Sequence, residues 1–198
     1  MKHREQFNNY SKSIFNLLLD TDDKLFKKSV NLIKKTQKQK GKVYIVGNGG
    51  SSSIASHVSV DFAKVARVNS STFNNANLIT CFANDYGYEN WVVEAIKAYL
   101  NKNDMMILIS SSGTSKNIVN AAKYCKKNSI QLITLSGFKR NNPLSKCGNV
   151  NFHISSDQYN FIEMSHHIIL VYLVDIFAKN KLSSMKKRYI SPPKKRRQ

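Results

Sequence analysis

The chain has 198 residues, of which 41% are hydrophobic and 10% aromatic, a composition that excludes global disorder and suits a single globular domain. Lysine and arginine number 31 against 12 acidic residues, which gives a formal net charge of +19. That excess indicates either anionic partners, such as phosphorylated metabolites, nucleic acid or acidic lipid, or a solvated basic surface.

The first predicted elements are two helices within residues 5–40, where apolar residues recur at helical spacing. The segment Thr21–Asp23 interrupts them and supplies an N-cap for the second helix. A doubly wound sheet does not require two helices before its first strand. We therefore expect them to cover the sheet or to pack against another subunit.

Short apolar segments then predict five buried strands. These strands are Val43–Val46, Leu78–Phe82, Met105–Ile109, Gln131–Leu135 and Val150–Ile154. Helical segments lie between them, around residues 52–66, 89–100, 115–128 and 142–147, and a last helix is predicted from Tyr159 to Ala178. The alternation predicts a three-layer α/β/α fold, doubly wound around a five-stranded parallel sheet as in flavodoxin-like proteins, with two additional N-terminal helices.

We expect one domain over residues 1–182, followed by a basic tail over residues 183–198 that lacks periodicity and is predicted to be disordered. The polar segment Met1–Lys12 shows no signal peptide, and the apolar run Ile168–Val174 is too short to span a bilayer. Three scattered cysteines form no CxxC pair, which argues against a zinc knuckle or a disulfide framework. Together these features predict a cytoplasmic protein with free thiols.

The loop after the first strand, Gly47–Ser53, combines glycines with serines at the start of a helix. Glycines let the backbone approach a ligand, and the helix start presents N–H groups and a positive dipole end. Asn48, Gly49, Gly50 and Ser51 are therefore candidate phosphate-binding residues, although such a turn can also simply cap a helix. The loop has neither the Walker ending nor the third glycine of the dinucleotide fingerprint, so we expect no nucleotide cofactor.

A second hydroxyl-rich loop follows the third predicted strand and again opens a helix. Its candidate phosphate ligands are Ser110, Ser111, Ser112 and Ser115. A nucleophilic serine would call for a GxSxG elbow, which is absent. Two such loops after two strands of one sheet predict a phosphate site at the carboxyl edge of that sheet.

Three motifs in this order resemble the SIS (sugar isomerase) domain, and within it the phosphoheptose isomerases. They are Gly47–Ser51, Asn84–Tyr88 and the Ser-x-Ser-Gly-x-Ser pattern of Ser110–Ser115, and the resemblance extends from about residue 5 to residue 180. It implies conversion of sedoheptulose 7-phosphate into an aldose heptose 7-phosphate for lipopolysaccharide or capsule synthesis. It also implies a homotetramer with sites shared between subunits, and in many members a zinc ion.

The same resemblance assigns roles to residues. His57 and Asp61, four apart on one helix face, match a metal-binding histidine and a catalytic glutamate, and Glu163 matches a metal-binding glutamine. His57, Asp61, Glu163 and His166 are thus the catalytic candidates, with the first three as ligands of zinc or another divalent ion. Ordinary surface pairs are the alternative explanation for His57 with Asp61 and for Glu163 with His166.

Asn84 and Asp85 follow the second predicted strand and would line the sugar pocket, unless they only form a turn. The family's second essential histidine falls on Val171, which can neither bind metal nor transfer a proton. This departure, with the shorter Asp61, keeps a second function open: a non-catalytic sugar-phosphate-binding protein that acts as a regulator or scaffold. Nucleic-acid binding is disfavoured because neither loop carries aromatic stacking residues.

Overall fold

The computed structural model describes residues 2–178, so the predicted basic tail and the domain limit at residue 182 lie outside the described residues. The chain begins with α1 (His3–Leu19) and α2 (Asp23–Lys38), as predicted. The Asp22 side chain caps α2 by accepting a hydrogen bond from the backbone N–H of Lys24 at 2.8 Å.

A five-stranded, fully parallel sheet forms the centre of the described region. Its strands are β1 (Val43–Gly47), β2 (Ser70–Thr72), β3 (Met105–Ser110), β4 (Gln131–Ser136) and β5 (Val150–His153). Their spatial order is β2-β1-β3-β4-β5, with Val43 opposite Met105 and Met105 opposite Gln131. This is the flavodoxin-like order, and it confirms the predicted fold class.

The prediction of a strand at Leu78–Phe82 is wrong. This segment lies inside α4 (Ala76–Tyr86), whose N-terminus is capped by the Asn75 side chain. Leu78 and Phe82 are four residues apart and pack on the same core cluster, as helical spacing requires. A short apolar run fits a buried strand and a helix equally well. The second strand is instead the polar, half-buried edge segment Ser70–Thr72.

The other helices are α3 (Gly50–Lys64), α5 (Trp91–Tyr99), α6 (Lys116–Lys127) and α7 (Tyr159–Phe177). The helix predicted around residues 142–147 is only a 3₁₀ turn at Leu144–Lys146. Alternate residues of a strand pack into two separate hydrophobic cores on opposite faces of the sheet. Val43 and Ile45 pack with α2, α3 and α7. Tyr44 and Val46 pack with α5 and α6. The three-layer arrangement follows directly from this alternation.

Among residues 2–178 one helix, α7, has the length and apolar composition of a membrane-spanning segment. Its residues Ile162, Leu170 and Val174 are buried in the core beside the sheet. The helix therefore occupies the position of a core helix, and its apolar composition serves that packing.

Candidate active site

The two serine-rich loops face each other at the carboxyl edge of β1 and β3, as the sequence predicts. They enclose a cavity of about 230 Å³. Its lining consists of Asn48, Gly49, Gly50, Ser51, Ile109, Ser110, Ser111, Ser112, Ser115, Tyr159 and Glu163. Every predicted phosphate-binding residue thus lies at one cavity, and the last helix adds Tyr159 and Glu163.

Two glycines give the first loop its shape. Gly49 has φ 54° and ψ −123°, a conformation that residues with a Cβ rarely adopt. Gly50 lies against the Glu163 carboxylate, and a Cβ at this position would overlap the carboxylate oxygens. The glycines therefore allow the turn into α3 and the close approach of α7.

Both helices that begin at the cavity lack a side-chain cap. No side chain bonds the first N–H groups of α3, which follows Gly49, or of α6, which follows Ser115. Asp22 caps α2 and Asn75 caps α4, whereas α1, α5 and α7 also begin without a side-chain cap. Two uncapped helix starts at one cavity combine free N–H donors with two positive dipole ends, which favours an anionic group.

The hydroxyl groups of the second loop are partly paired with each other. Ser110 Oγ donates to Ser115 Oγ at 3.1 Å, and Ser112 Oγ accepts from the hydroxyl of Thr114 at 2.9 Å. Ser111 Oγ is buried and makes no hydrogen bond within the described residues. An unpaired buried hydroxyl carries a desolvation cost that a ligand oxygen at this wall of the cavity would relieve.

An amide pair joins the two loops, and it was not predicted from the sequence. Asn48 and Asn117 exchange two side-chain hydrogen bonds, both of 2.9 Å. The Tyr88 hydroxyl donates to Asn48 Oδ1 at 3.2 Å. Asn117 belongs to the first turn of α6, so its position two residues after the second serine-rich loop was the one available signal. The pair fixes the two loops relative to each other.

Asn84 and Asp85 do not line this cavity. They are exposed in the last turn of α4, where Asn84 Nδ2 donates to Asp85 Oδ1 at 3.0 Å. The expectation that they follow a strand fails because α4 takes the place of that strand. Tyr88, three residues after Asp85, is the residue of this motif that reaches the first loop.

A cluster of three polar side chains lies between α3 and α7. His57 Nε2 is 3.2 Å from Asp61 Oδ2, and His57 Nδ1 is 2.8 Å from His167 Nε2. The two imidazole rings are nearly perpendicular, at 86°. Burial lowers the pKa of His167, the charge of His57 lowers it further, and Asp61 partly offsets both. Sequence spacing predicted the His57–Asp61 pair but missed His167.

His166, the neighbour of His167, points into the core. It is fully buried, and its Nε2 lies 3.2 Å from the carbonyl oxygen of Ser136. Burial lowers its pKa to about 4, so the ring stays neutral. The structure therefore does not bring His166 to the cavity or to His57; its predicted catalytic role stays a prediction that burial disfavours.

Glu163 connects the two groups of residues. It lines the cavity beside Gly50, and it lies four residues before His167 on the same side of α7. Burial raises the pKa of the Glu163 carboxyl group. On α3, Gly50 and His57 are seven residues apart, which places them on one face about 10 Å apart along the axis. Gly50 contacts Glu163 and His57 contacts His167, so the cavity and the histidine cluster both lie along the seam between α3 and α7, which is called the groove below.

The predicted metal ligands do not come together. His57 and Asp61 are close enough to share an ion, but the third ligand, Glu163, packs against Gly50 two helical turns away. A zinc site takes at least three protein ligands. Within residues 2–178 no group of three His, Cys, Asp or Glu side chains is arranged to hold a metal. His57, Asp61 and Glu163 in this arrangement do not fit a zinc ion.

Comparisons with known proteins identify the family of this chain. The family model described as "SIS domain" matches residues 6–137. The phosphoheptose isomerase of Helicobacter pylori (strain P12) is 30% identical over 168 residues, which cover 82% of this chain and 87% of the relative. The chain belongs to the phosphoheptose isomerase family of SIS-domain proteins.

Solved structures of this family share the fold. A phosphoheptose isomerase from Francisella tularensis matches with a TM-score of 0.80 at 22% identity, covering 91% of this chain and all of the other. The phosphoheptose isomerase GmhA from Neisseria gonorrhoeae matches with a TM-score of 0.81 at 18% identity, covering 90% of this chain and all of the other.

Proposed function

We propose that this protein is a sugar-phosphate isomerase that interconverts a ketose and an aldose phosphate, with sedoheptulose 7-phosphate as the substrate. The product is a heptose 7-phosphate used in surface polysaccharide synthesis, in lipopolysaccharide or capsule. The observation that carries the proposal is the pairing of an anion-binding cavity with a histidine and carboxylate cluster on the same helix faces. The family's activity supports this choice of substrate.

The cavity suits the phosphate group. Ser51 and Ser112 contribute hydroxyls, and the uncapped starts of α3 and α6 contribute backbone N–H groups and positive dipoles. Each hydrogen bond to a charged group contributes about 1.5–3 kcal/mol. Glu163 sits at the same cavity, where burial raises the pKa of its carboxyl group.

The histidine cluster suits the isomerisation. A base removes the proton from C1 of the ketose, an enediol forms, and the proton is returned to C2 while the O1 and O2 protons are exchanged. His57 lies about 10 Å from Gly50 along α3, and its partner Asp61 lies one turn further along the same helix. An extended seven-carbon phosphate is of similar length, so its C1–C2 end would reach them. No step in this proposal passes through a metal.

The exposed apolar residues of α1 favour a homo-oligomer, which we propose is a tetramer. The helix has no buried residue, and Phe7, Phe15 and Leu19 are each more than half exposed. On α7, Met164 and Ile168 are exposed beside Glu163 and His167. A second copy covering these apolar faces would close the open side of the groove. Light scattering tests this, and a monomer in solution would contradict shared sites.

The test of the function is the conversion of sedoheptulose 7-phosphate by purified protein, followed by NMR in D₂O. We expect an aldose product that carries solvent deuterium at C2. A ligand that raises the melting temperature without any isotope incorporation would overturn catalysis. That outcome would establish the alternative, a sugar-phosphate-binding regulator or scaffold, which Val171 at the family's histidine position favours.

A further inference from the structure

The Asn48 amide lies at the centre of a hydrogen-bond network beside the cavity. Its Oδ1 accepts hydrogen bonds from Asn117 Nδ2 at 2.9 Å and from the Tyr88 hydroxyl at 3.2 Å. Its Nδ2 donates to Asn117 Oδ1 at 2.9 Å. A carboxamide has two oxygen lone pairs and two N–H donors. Both lone pairs of Asn48 are therefore used, and one N–H donor remains for a ligand of the cavity that Asn48 lines.

The pair of Asn48 and Asn117 does not by itself select this orientation. Turning both amides over by half a turn exchanges each donor for an acceptor and restores both hydrogen bonds between them. In that second orientation the free group of Asn48 is a carbonyl lone pair, which repels an anion. Asn117 is 2% exposed, and within residues 2–178 its side chain bonds only to Asn48, so it does not decide between the two.

The Tyr88 hydroxyl is the group that distinguishes the two orientations. A phenol donates a hydrogen bond more readily than it accepts one, because the ring draws electron density from the oxygen. It therefore favours the Asn48 carbonyl oxygen, and not the Asn48 nitrogen, as its partner. The orientation in which Asn48 keeps a free N–H is the one that Tyr88 stabilises.

The turn that carries Tyr88 is held against α6. Gly87 begins this turn with φ 81°, a conformation that favours glycine. Asn120 Nδ2 donates to the carbonyl oxygen of Glu89 at 3.1 Å. Asn120 lies three residues after Asn117 on α6, so the same side of one helix holds both the turn and the amide pair.

We propose that Tyr88 is a positioning residue of the anion-binding cavity: it holds the Asn48 amide so that an N–H donor, and not a carbonyl oxygen, is offered to a bound phosphate. This rests on the phosphate site of the function proposed above. Tyr88 does not itself line the cavity, so it acts through Asn48. The motif Asn84–Tyr88 thus contributes to the site through its last residue.

The variant that tests the proposal is Tyr88→Phe, which removes one hydroxyl from a ring that is 55% exposed. We expect the Kd for inorganic phosphate, measured by isothermal titration, to rise about three- to tenfold, the range for loss of one hydrogen bond. The KM for sedoheptulose 7-phosphate should rise equally, with kcat within about twofold of wild type and an unchanged melting temperature.

Tyr86→Phe is the matched control. Tyr86 is 51% exposed on the same segment and packs on Phe82, and its hydroxyl makes no hydrogen bond in the described part of the chain. This variant should leave Kd and KM unchanged. A Tyr88→Phe variant with wild-type Kd, or with a loss no larger than that of the control, overturns the inference.

A double-mutant cycle separates positioning from direct contact with the ligand. If Tyr88 acts through Asn48, then adding Tyr88→Phe to Asn48→Ala should change the Kd for phosphate by less than about 1.5-fold. A loss of the same size with and without Asn48 would show that the hydroxyl contacts the phosphate itself, and would overturn the positioning role.

The two ligands separate this inference from the proposed function. Phosphate binding that depends on Tyr88 as described, without turnover of sedoheptulose 7-phosphate, would overturn the isomerase function and support the positioning role. A wild-type protein that binds neither inorganic phosphate nor the sugar phosphate would overturn both.

Discussion

The two ends of the groove are built in different ways. The cavity end consists of loops that directly follow β1 and β3, and it offers backbone N–H groups and serine hydroxyls. The histidine end consists of side chains on α3 and α7 whose partners, His57 and His167, are 110 residues apart in sequence. In the proposed function, the cavity end binds the phosphate and the histidine end carries out the isomerisation.

The largest expected effect concerns the histidine end. Asp61→Asn removes the carboxylate that pairs with His57 in the proposed catalytic cluster, so kcat should fall by about 10³-fold with little change in sugar-phosphate binding. The NMR assay gives kcat, and isothermal titration gives the affinity. Asp23→Asn on α2 is the matched control, since Asp23 is exposed and pairs with Lys27 away from the groove. Equal losses in both variants would contradict the assignment.

The next effect separates the adjacent histidines. Because burial lowers the pKa of His166 to about 4, the folded state binds fewer protons than the unfolded state between pH 6.5 and 4. The contribution of neutral His166 to the free energy of unfolding is complete above pH 6.5. It is lost as pH falls toward 4, by about 3 kcal/mol in all. Urea unfolding at pH 7 and pH 5 should show part of this loss. In His166→Gln the loss of stability between pH 7 and pH 5 should be smaller than in the wild type. A pH dependence equal to that of the wild type would show that His166 is not responsible.

A moderate effect is expected at the cavity end. Ser51→Ala and Ser112→Ala each remove a hydroxyl that faces the phosphate, so the dissociation constant should rise by about tenfold or more in each. Ser53→Ala is the control in the same loop, because Ser53 is exposed and does not line the cavity. If both cavity variants retain wild-type affinity, the phosphate binds elsewhere.

The smallest expected effect is that of metal removal. Since His57, Asp61 and Glu163 are not gathered around one point, treatment with a chelator should change the turnover rate by less than about twofold. Full loss of activity after chelation, restored by zinc, would show that the groove rearranges around a metal when substrate binds. The rate before and after dialysis against the chelator measures this directly.

The sequence predicted the cavity end well because the positions of its glycines and serines depend on local features, namely the strand that each loop follows and the helix that it begins. A loop that follows a parallel strand must emerge at the carboxyl edge, so Gly47–Ser53 and Ser110–Ser115 had to meet. The strand assigned to Leu78–Phe82 failed because a short apolar run does not distinguish a strand from a helix. That error also misplaced Asn84 and Asp85.

The histidine end could be predicted only in part. Spacing within one helix paired His57 with Asp61, but it gave no information on how α3 and α7 face each other. His167 lies one turn before Val171 on α7, so it offers an imidazole close to where the family resemblance left a valine. The sequence interpretation chose His166 and not His167 as a catalytic candidate, and only the packing of α7 shows that the His166 ring faces the core while the His167 ring meets His57.

The most direct test of the two-ended groove is a crystal structure of Asp61→Asn with sedoheptulose 7-phosphate bound. We predict the phosphate oxygens about 3 Å from Ser51, Ser112 and the N–H groups at the start of α3. The C1–C2 end should lie between α3 and α7, beside His167. A phosphate bound outside the cavity, or a C1–C2 end directed away from that groove, would contradict the account.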